Sequence, residues 1–146
     1  MIRVPIDTTT LASGFVRPGP PPGRLIAAWE QRSFTLGTAE PLIAEVSRTL
    51  TKPYFARALS GEQVHRYVEL LRHEAAVTPI KVRVAGIATH PEDDVVLAAA
   101  LSGEAQYLVT SDHGPLRLGS YRELLIVSAV QFLAMLPGLI QADDAP

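Results

Sequence analysis

Apolar positions recur along this chain at two periods, one of strands and one of helices. Residues 2–6, IRVPI, form a short β-branched run that stops at Asp7, the pattern of a buried strand. Pro5 inside it has no N–H for a sheet ladder, so a central strand must bulge or lose a hydrogen bond there. Residues 17–23, RPGPPPG, predict a loop, and helical character returns over 24–31 through Leu25, Ile26 and Trp29. A second strand is expected at 34–36. Leu42, Ile43, Val46 and Leu50 recur at helical spacing over 40–50, with Thr38 as a cap and Pro53 as a stop beyond. Ser60 and Gln63 form a capping-box pattern, and Val64, Val68 and Leu71 continue one apolar stripe as far as about Ala75. A short strand is predicted at 82–84. A turn at Thr89, His90 and Pro91 then opens an apolar helix over 95–101, which Gly103 closes. Residues 107–110 and 124–127 are the last strands, 111–119 a loop between them, 130–136 a short final helix and 142–146 a loose tail.

Strands that alternate with helices, the later ones as continuous apolar runs, predict an α/β fold with a parallel sheet covered on both faces. With 146 residues, 47% of them hydrophobic, the chain closes one core and is too short for two ordinary domains. We therefore expect a single domain over 1–140 and a flexible tail at 141–146. The charge balance, 13 Lys and Arg against 15 Asp and Glu, offers no strongly basic surface, so any nucleic acid must be held locally. The absence of cysteine removes disulfides, thiolate ligands and cysteine nucleophiles, and fits a reducing cytosol. Residues 1–10 carry no apolar run ahead of a cleavage site, and no window approaches the ~18 apolar residues of a membrane span. The expected location is cytoplasmic, with no membrane partner.

The candidate chemistry lies in the acids. Ligand chemistry in a parallel α/β sheet gathers outside the carboxyl ends of the strands. Asp7 ends the first strand, Asp112 follows the strand at 107–110, and Asp93 and Asp94 open the helix just before it, so all should emerge on one rim. Asp94 is the sharper of that pair, because it stands one residue before the apolar run. Glu45 lies within the 40–50 helix on a face expected to pack inward, where a carboxylate needs a partner. Mg²⁺ and Mn²⁺ take hard oxygen ligands, and a divalent ion activates water while offsetting charge on the attacking and leaving oxygens of a phosphoryl centre. Each acid alone also has a structural reading, as a helix first-turn charge or a turn residue. Their joint occurrence on one rim is what points to phosphodiester hydrolysis. His113, beside Asp112, is an accessory candidate for protonating a leaving group, although loop histidines are more often only surface. His65 and His73 read as surface.

Three segments, VPIDTTTLASGF, EPLIAEVSRTLTKPYF and HPEDDVVLAAALSGEAQYLVTSD, resemble the PIN-domain family, in particular bacterial VapC-like toxin components. The resemblance implies a three-layer αβα sandwich around a parallel sheet of about five strands. It places Asp7, Glu45, Asp94 and Asp112 on the family's catalytic, metal-binding positions, with Asp93 and the Thr8 hydroxyl as accessories. It further implies Mg²⁺ or Mn²⁺ as cofactor, endoribonuclease activity on single-stranded or structured RNA, a homodimer and a cognate antitoxin partner. Thr9 stands in place of the family's usual asparagine, His90 and Glu92 where aspartates are common, and Gly114 where a further aspartate often follows Asp112; these departures bear on the second metal position and the rate more than on the fold.

Other α/β phosphate chemistries fit less well. A receiver domain needs an acid pair after the first strand and a late active-site lysine, but the only lysines are Lys52 and Lys81. A haloacid-dehalogenase-type phosphatase needs Asp-x-Asp where this chain has Asp7, Thr8 and Thr9. The alternative from another class is a PIN fold with impaired catalysis, acting as an RNA-binding or protein-interaction module.

Overall fold

The computed structural model describes residues 1–88 and 90–143, so the Thr89 part of the expected turn and residues 144–146 of the expected tail lie outside the described residues. In chain order the elements are β1 (Arg3–Pro5), α1 (Thr8–Val16), α2 (Pro21–Glu30), β2 (Thr35–Thr38), α3 (Glu40–Leu50), α4 (Pro53–Ala56), α5 (Gly61–Glu74) and β3 (Ala76–Val77). There follow α6 (Pro91–Ser102), β4 (Tyr107–Val109), α7 (His113–Leu118), β5 (Ser120–Tyr121), β6 (Leu124–Val127) and α8 (Ala129–Asp143). The class is α/β, as the alternation predicts.

The sheet is not the single five-stranded one expected. Strands β1, β2 and β3 form one parallel three-stranded sheet, with Arg3 opposite Thr35 and Gly37 opposite Ala76. The other sheet has the order β4-β6-β5, with β4 parallel and β5 antiparallel to β6. Among the described residues only one parallel bridge, Ile6 to Val109, joins the two, with the Asp7 N–H donating to the Val109 carbonyl at 3.0 Å. Pro5 supplies the physical reason. Peptide groups alternate sides along a strand; the Ile2 carbonyl faces β2, where it accepts from the Thr35 N–H, and Asp7 faces β4. The Pro5 nitrogen, two residues before Asp7, also faces β4 and carries no proton, so the β1–β4 ladder begins only at Asp7.

Other differences have equally local causes. Helix α2 starts inside the proline run because Pro21 and Pro22 occupy the first helical positions, where a missing N–H costs nothing. Helix α1 leaves no stripe in the sequence, since Thr8, Thr10, Leu11, Ala12, Gly14 and Phe15 are all buried. It lies so close to α2 that a Cβ on Gly14 would stand 2.6 Å from both Ile26 Cγ1 and the Pro22 carbonyl oxygen. Residues 82–84 are not a strand: the N–H groups of Lys81 and Val82 donate to Ser102 Oγ at 2.8 and 3.0 Å, while the strand β3 follows directly on α5. Thr38 ends β2 instead of capping α3, whose N-cap position is Ala39, and the buried Thr38 hydroxyl finds no partner among the described residues. The loop expected at 111–119 contains α7, ended by Gly119 at φ +74°. Helix α8 outruns its predicted 130–136, so residues 141–143 are helical and not tail; a Ser128–Gln131 capping box starts it, and it carries Pro137 inside.

The helices α3, α5 and α6 match their patterns, including the Ser60–Gln63 capping box and the Gly103 cap. Two apolar clusters cover opposite faces of the strands. Val4, Ile6 and Val109 pack with α1, α2, α3, α5 and α8, whereas Leu108, Leu124 and Ile126 pack with α6 and Leu42. Helices thus pack on both faces of the strands, and the carboxyl ends of β1 and β4 lie side by side on one rim.

Candidate active site

On that rim Asp7 is buried, with 8% exposure. Its Oδ1 accepts from the Thr10 N–H at 2.9 Å, which caps α1, and its Oδ2 accepts from the Thr110 hydroxyl. The same Thr110 oxygen accepts from the Asp112 N–H at 3.0 Å, and Asp112 Oδ1 accepts from the Gly114 N–H at 3.2 Å, capping α7. A 2.7 Å contact between the Thr10 and Ser111 hydroxyls ties the two helix starts together. Both acids are therefore helix caps, the structural role weighed for them in the sequence. Capping uses one lone pair of an oxygen and leaves others directed outward.

Asp7, Asp93 and Asp112 line one cavity of about 570 Å³, and Glu45, Arg48 and Lys52 line it too. Burial pushes the Asp7 carboxyl up from its ordinary value, with a smaller push from Asp112, against hydrogen bonds from Thr10 and Thr110 that hold it down. Asp93 is pushed up to about 6, by burial, by the neighbouring Asp112 carboxyl and by Asp7, while His90 pulls the other way. Asp7 and Asp93, both raised in part by the Asp112 carboxylate, mark a site of excess negative charge, which a cation relieves. Among the described residues, however, no three His, Asp or Glu side chains converge closely enough to hold an ion by themselves.

The expected set is only partly brought together. Asp94, placed by the resemblance among the metal ligands, turns away: it is 5% exposed, and its two oxygens accept from the N–H groups of Gly86 at 2.9 Å and Ala88 at 2.7 Å. Asp93, expected only as an accessory, faces the cavity in its stead. Successive residues of an α-helix point about 100° apart, so the two neighbours cannot share a direction. Glu45 lines the cavity but is not packed inward; it is a partly exposed carboxylate paired with Arg48 Nη2. Thr8 is buried on the cavity wall, and Thr9, His90 and Glu92 line it as well. His113 is exposed at the first position of α7, and the cavity wall does not include it. Gly114 lies in the first turn of that helix. Two contributors were not anticipated. Thr110 carries a signal in retrospect, a polar residue at the end of an apolar strand two before an acid. Lys52 carries none beyond its place after α3.

A family model described as PIN domain matches residues 3–114. The chain belongs to the PIN domain family. PIN domains are generally nucleases and typically bind divalent metals, and the matched span contains every cavity acid described above. Comparison with curated proteins finds no match to this chain. No helix among the described residues of this PIN domain is long and apolar enough to cross a membrane. The donor set suits the family's ions: the acids offer hard oxygens, and the charge that lifts Asp93 is of the sign a divalent cation offsets.

Proposed function

We propose that this PIN domain is a metal-dependent endoribonuclease that hydrolyses RNA phosphodiester bonds. The observation that carries this reading is that Asp7, Asp93 and Asp112 line one cavity at the carboxyl rim of the strands. Asp93 and Asp112 would hold Mg²⁺ or Mn²⁺ together with water and substrate oxygens, with Asp7 and Thr8 on the same cavity wall. The ion, when bound, supplies positive charge opposite the phosphoryl oxygens and acidifies water for attack. This chain's own groups do the rest. Thr110 fixes Asp7 and the Asp112 backbone in one orientation. Asp93, whose carboxyl is pushed up to about 6, would have to give up its proton to hold a cation, so metal uptake would release protons near pH 6. Purified protein should cleave single-stranded RNA with Mg²⁺ or Mn²⁺ and stop in excess EDTA; cleavage that persists under chelation, with contaminating nuclease excluded, overturns the mechanism.

A second reading, the catalytically impaired binding module, is favoured by the Glu45–Arg48 pair, which engages one of the family's acidic positions. Calorimetric Mn²⁺ titration separates the two: RNA binding without Mn²⁺ binding supports the module. The VapC-like resemblance supports a further assignment, a cytoplasmic toxin that forms a homodimer and is blocked by a small antitoxin. Induced expression should then arrest growth, and Asp112→Asn should abolish the arrest.

A further inference from the structure

We propose that residues 52–55, KPYF, grip an unpaired nucleotide next to the cavity: Lys52 takes a backbone phosphate and Tyr54 stacks a base, so that this nuclease selects single strands over duplex. The inference rests on the nuclease reading and adds the residues that hold the strand beside the cavity.

Tyr54 is 66% exposed, the most exposed aromatic ring among the large hydrophobic side chains of the described residues. It is presented on a firm base. Its ring meets that of Phe55 edge to face at 5.0 Å and 85°, and Phe55 is buried in the core and also lines the carboxylate cavity. Pro53 fixes the backbone between Lys52 and Tyr54, and the Lys52 carbonyl accepts from the N–H groups of Phe55 at 3.0 Å and Ala56 at 2.8 Å. An exposed ring held this way loses little freedom when a base stacks on it.

The charge beside the ring has the required sign. Residues 46–61 contain Arg48, Lys52 and Arg57 and no acid, in a chain whose net charge is -2. Arg48 is taken by Glu45, which leaves Lys52 as the cavity's cation without an ion-pair partner among the described residues. A strand whose scissile phosphate lies at Asp93 and Asp112 must leave the cavity past some part of its wall. Lys52 and Phe55 line that wall, and the Tyr54 ring, outside the lining itself, stands against Phe55, so the Lys52 side offers a cation and a neighbouring aromatic ring, the two elements that hold single strands without reading sequence. A paired base has both faces covered and cannot use the ring.

The test is fluorescence anisotropy with a labelled RNA 12-mer in EDTA, alone and annealed to its complement, alongside steady-state cleavage with Mn²⁺. Tyr54→Ala should weaken single-strand binding about tenfold and raise KM with little change in kcat, whereas Tyr54→Phe should stay within about twofold because stacking needs no hydroxyl. Lys52→Ala should lower the slope of log affinity against log salt by about 0.7, and Lys52→Arg should restore it. Both side chains are exposed, and equal melting temperatures confirm that the variants fold. If the parent cleaves RNA but Tyr54→Ala binds and cleaves as the parent does, or if the parent binds duplex as tightly as single strand, the grip is wrong and the nuclease reading stands. If the parent neither binds nor cleaves RNA, both fall. A Tyr54→Ala variant that changes only the oligomeric state assigns the ring to a contact between copies and overturns the proposal.

Discussion

At the strand-end wall of the cavity, Asp7 and Asp112 are fixed by backbone and hydroxyl donors that belong to the sheet and to the two helices they cap. At the α6 wall, Asp93 makes no comparable set of bonds among the described residues, and its neighbour Asp94 spends both oxygens on the segment at 86–88. The first wall is stitched together over about a hundred residues of sequence separation; the second is built locally, within eight. The difference shows how one helix turn divides labour between adjacent acids. Asp94 anchors the approach to α6, and that anchor lets Asp93 stand in the cavity with its charge opposed by Asp112 instead of neutralised. One carboxylate is satisfied and stabilising, the other frustrated and available.

The sharpest way to break this comparison is to neutralise each acid separately. Asp93→Asn and Asp112→Asn should each lower RNA cleavage by about 100-fold or more, since each removes a carboxylate that would hold the metal ion against the reacting phosphate. Cleavage by Asp93→Asn at the parent's rate would show that α6 contributes nothing to the chemistry. A smaller effect is expected from the stitched wall. Thr110→Val keeps the shape but removes both the donor to Asp7 and the acceptor for the Asp112 N–H, and should weaken Mn²⁺ binding about tenfold, as loss of an orienting partner does. Thr110→Ser should recover it. Calorimetric titration decides, and equal affinity in the valine variant would reduce Thr110 to packing.

What the sequence made legible follows from where each signal is stored. Helices α3 and α5 bury one face each, and α5 declares its start with Ser60 and Gln63, so periodicity and capping report them. Helix α1 is buried nearly all round and opens with three threonines, which have low helix propensity, so neither signal exists. Asp7 and Asp112 were readable because a strand end is visible as the end of an apolar run. The choice between Asp93 and Asp94 was not. Proximity to the apolar run does identify the more buried acid, and Asp94 is that acid, but burial here means a backbone partner and not a cavity. Those partners come from residues 86–88, which have no regular structure and hence no period to read.

Removing the anchor should cost stability that removing the frustrated acid does not. Asp94→Ala leaves two N–H groups without their carboxylate, at a site close enough to the surface for water to replace part of the loss, so about 2 kcal/mol is expected. For a chain of this size that lowers the melting temperature by about 6 °C. Asp94→Asn retains one acceptor and should fall between. If Asp94→Ala melts with the parent, the segment at 86–88 is held by something else.

The smallest effect, and the one that most directly sharpens the contrast, is the pH dependence that Asp93 imposes. Its carboxyl goes from an ordinary value of 3.8 to about 6 in the folded protein, so the folded state binds this proton more tightly than the unfolded chain does. The stability this adds is fully present below 3.8 and is lost as pH rises through 6. Asp7, also raised, acts with the same sign. At pH 7.5 without metal, the ionised Asp93 is therefore a burden, and Asp93→Asn should melt slightly above the parent. Asp93 is half-exposed and solvent screens its repulsion from Asp112, so the gain is small, about 0.5 kcal/mol or about 2 °C. Near pH 4 the parent carries the proton itself, and the two melting temperatures should meet. Mn²⁺ supplies an independent arm: at pH 7.5 it should raise the melting temperature of the parent by binding the folded state alone, and raise that of Asp93→Asn much less. A gap between parent and variant that stays constant from pH 4 to 8 would remove Asp93 from the charged cluster, whereas a parent more stable than Asp93→Asn at pH 7.5 without metal would make it a structural acid like Asp94.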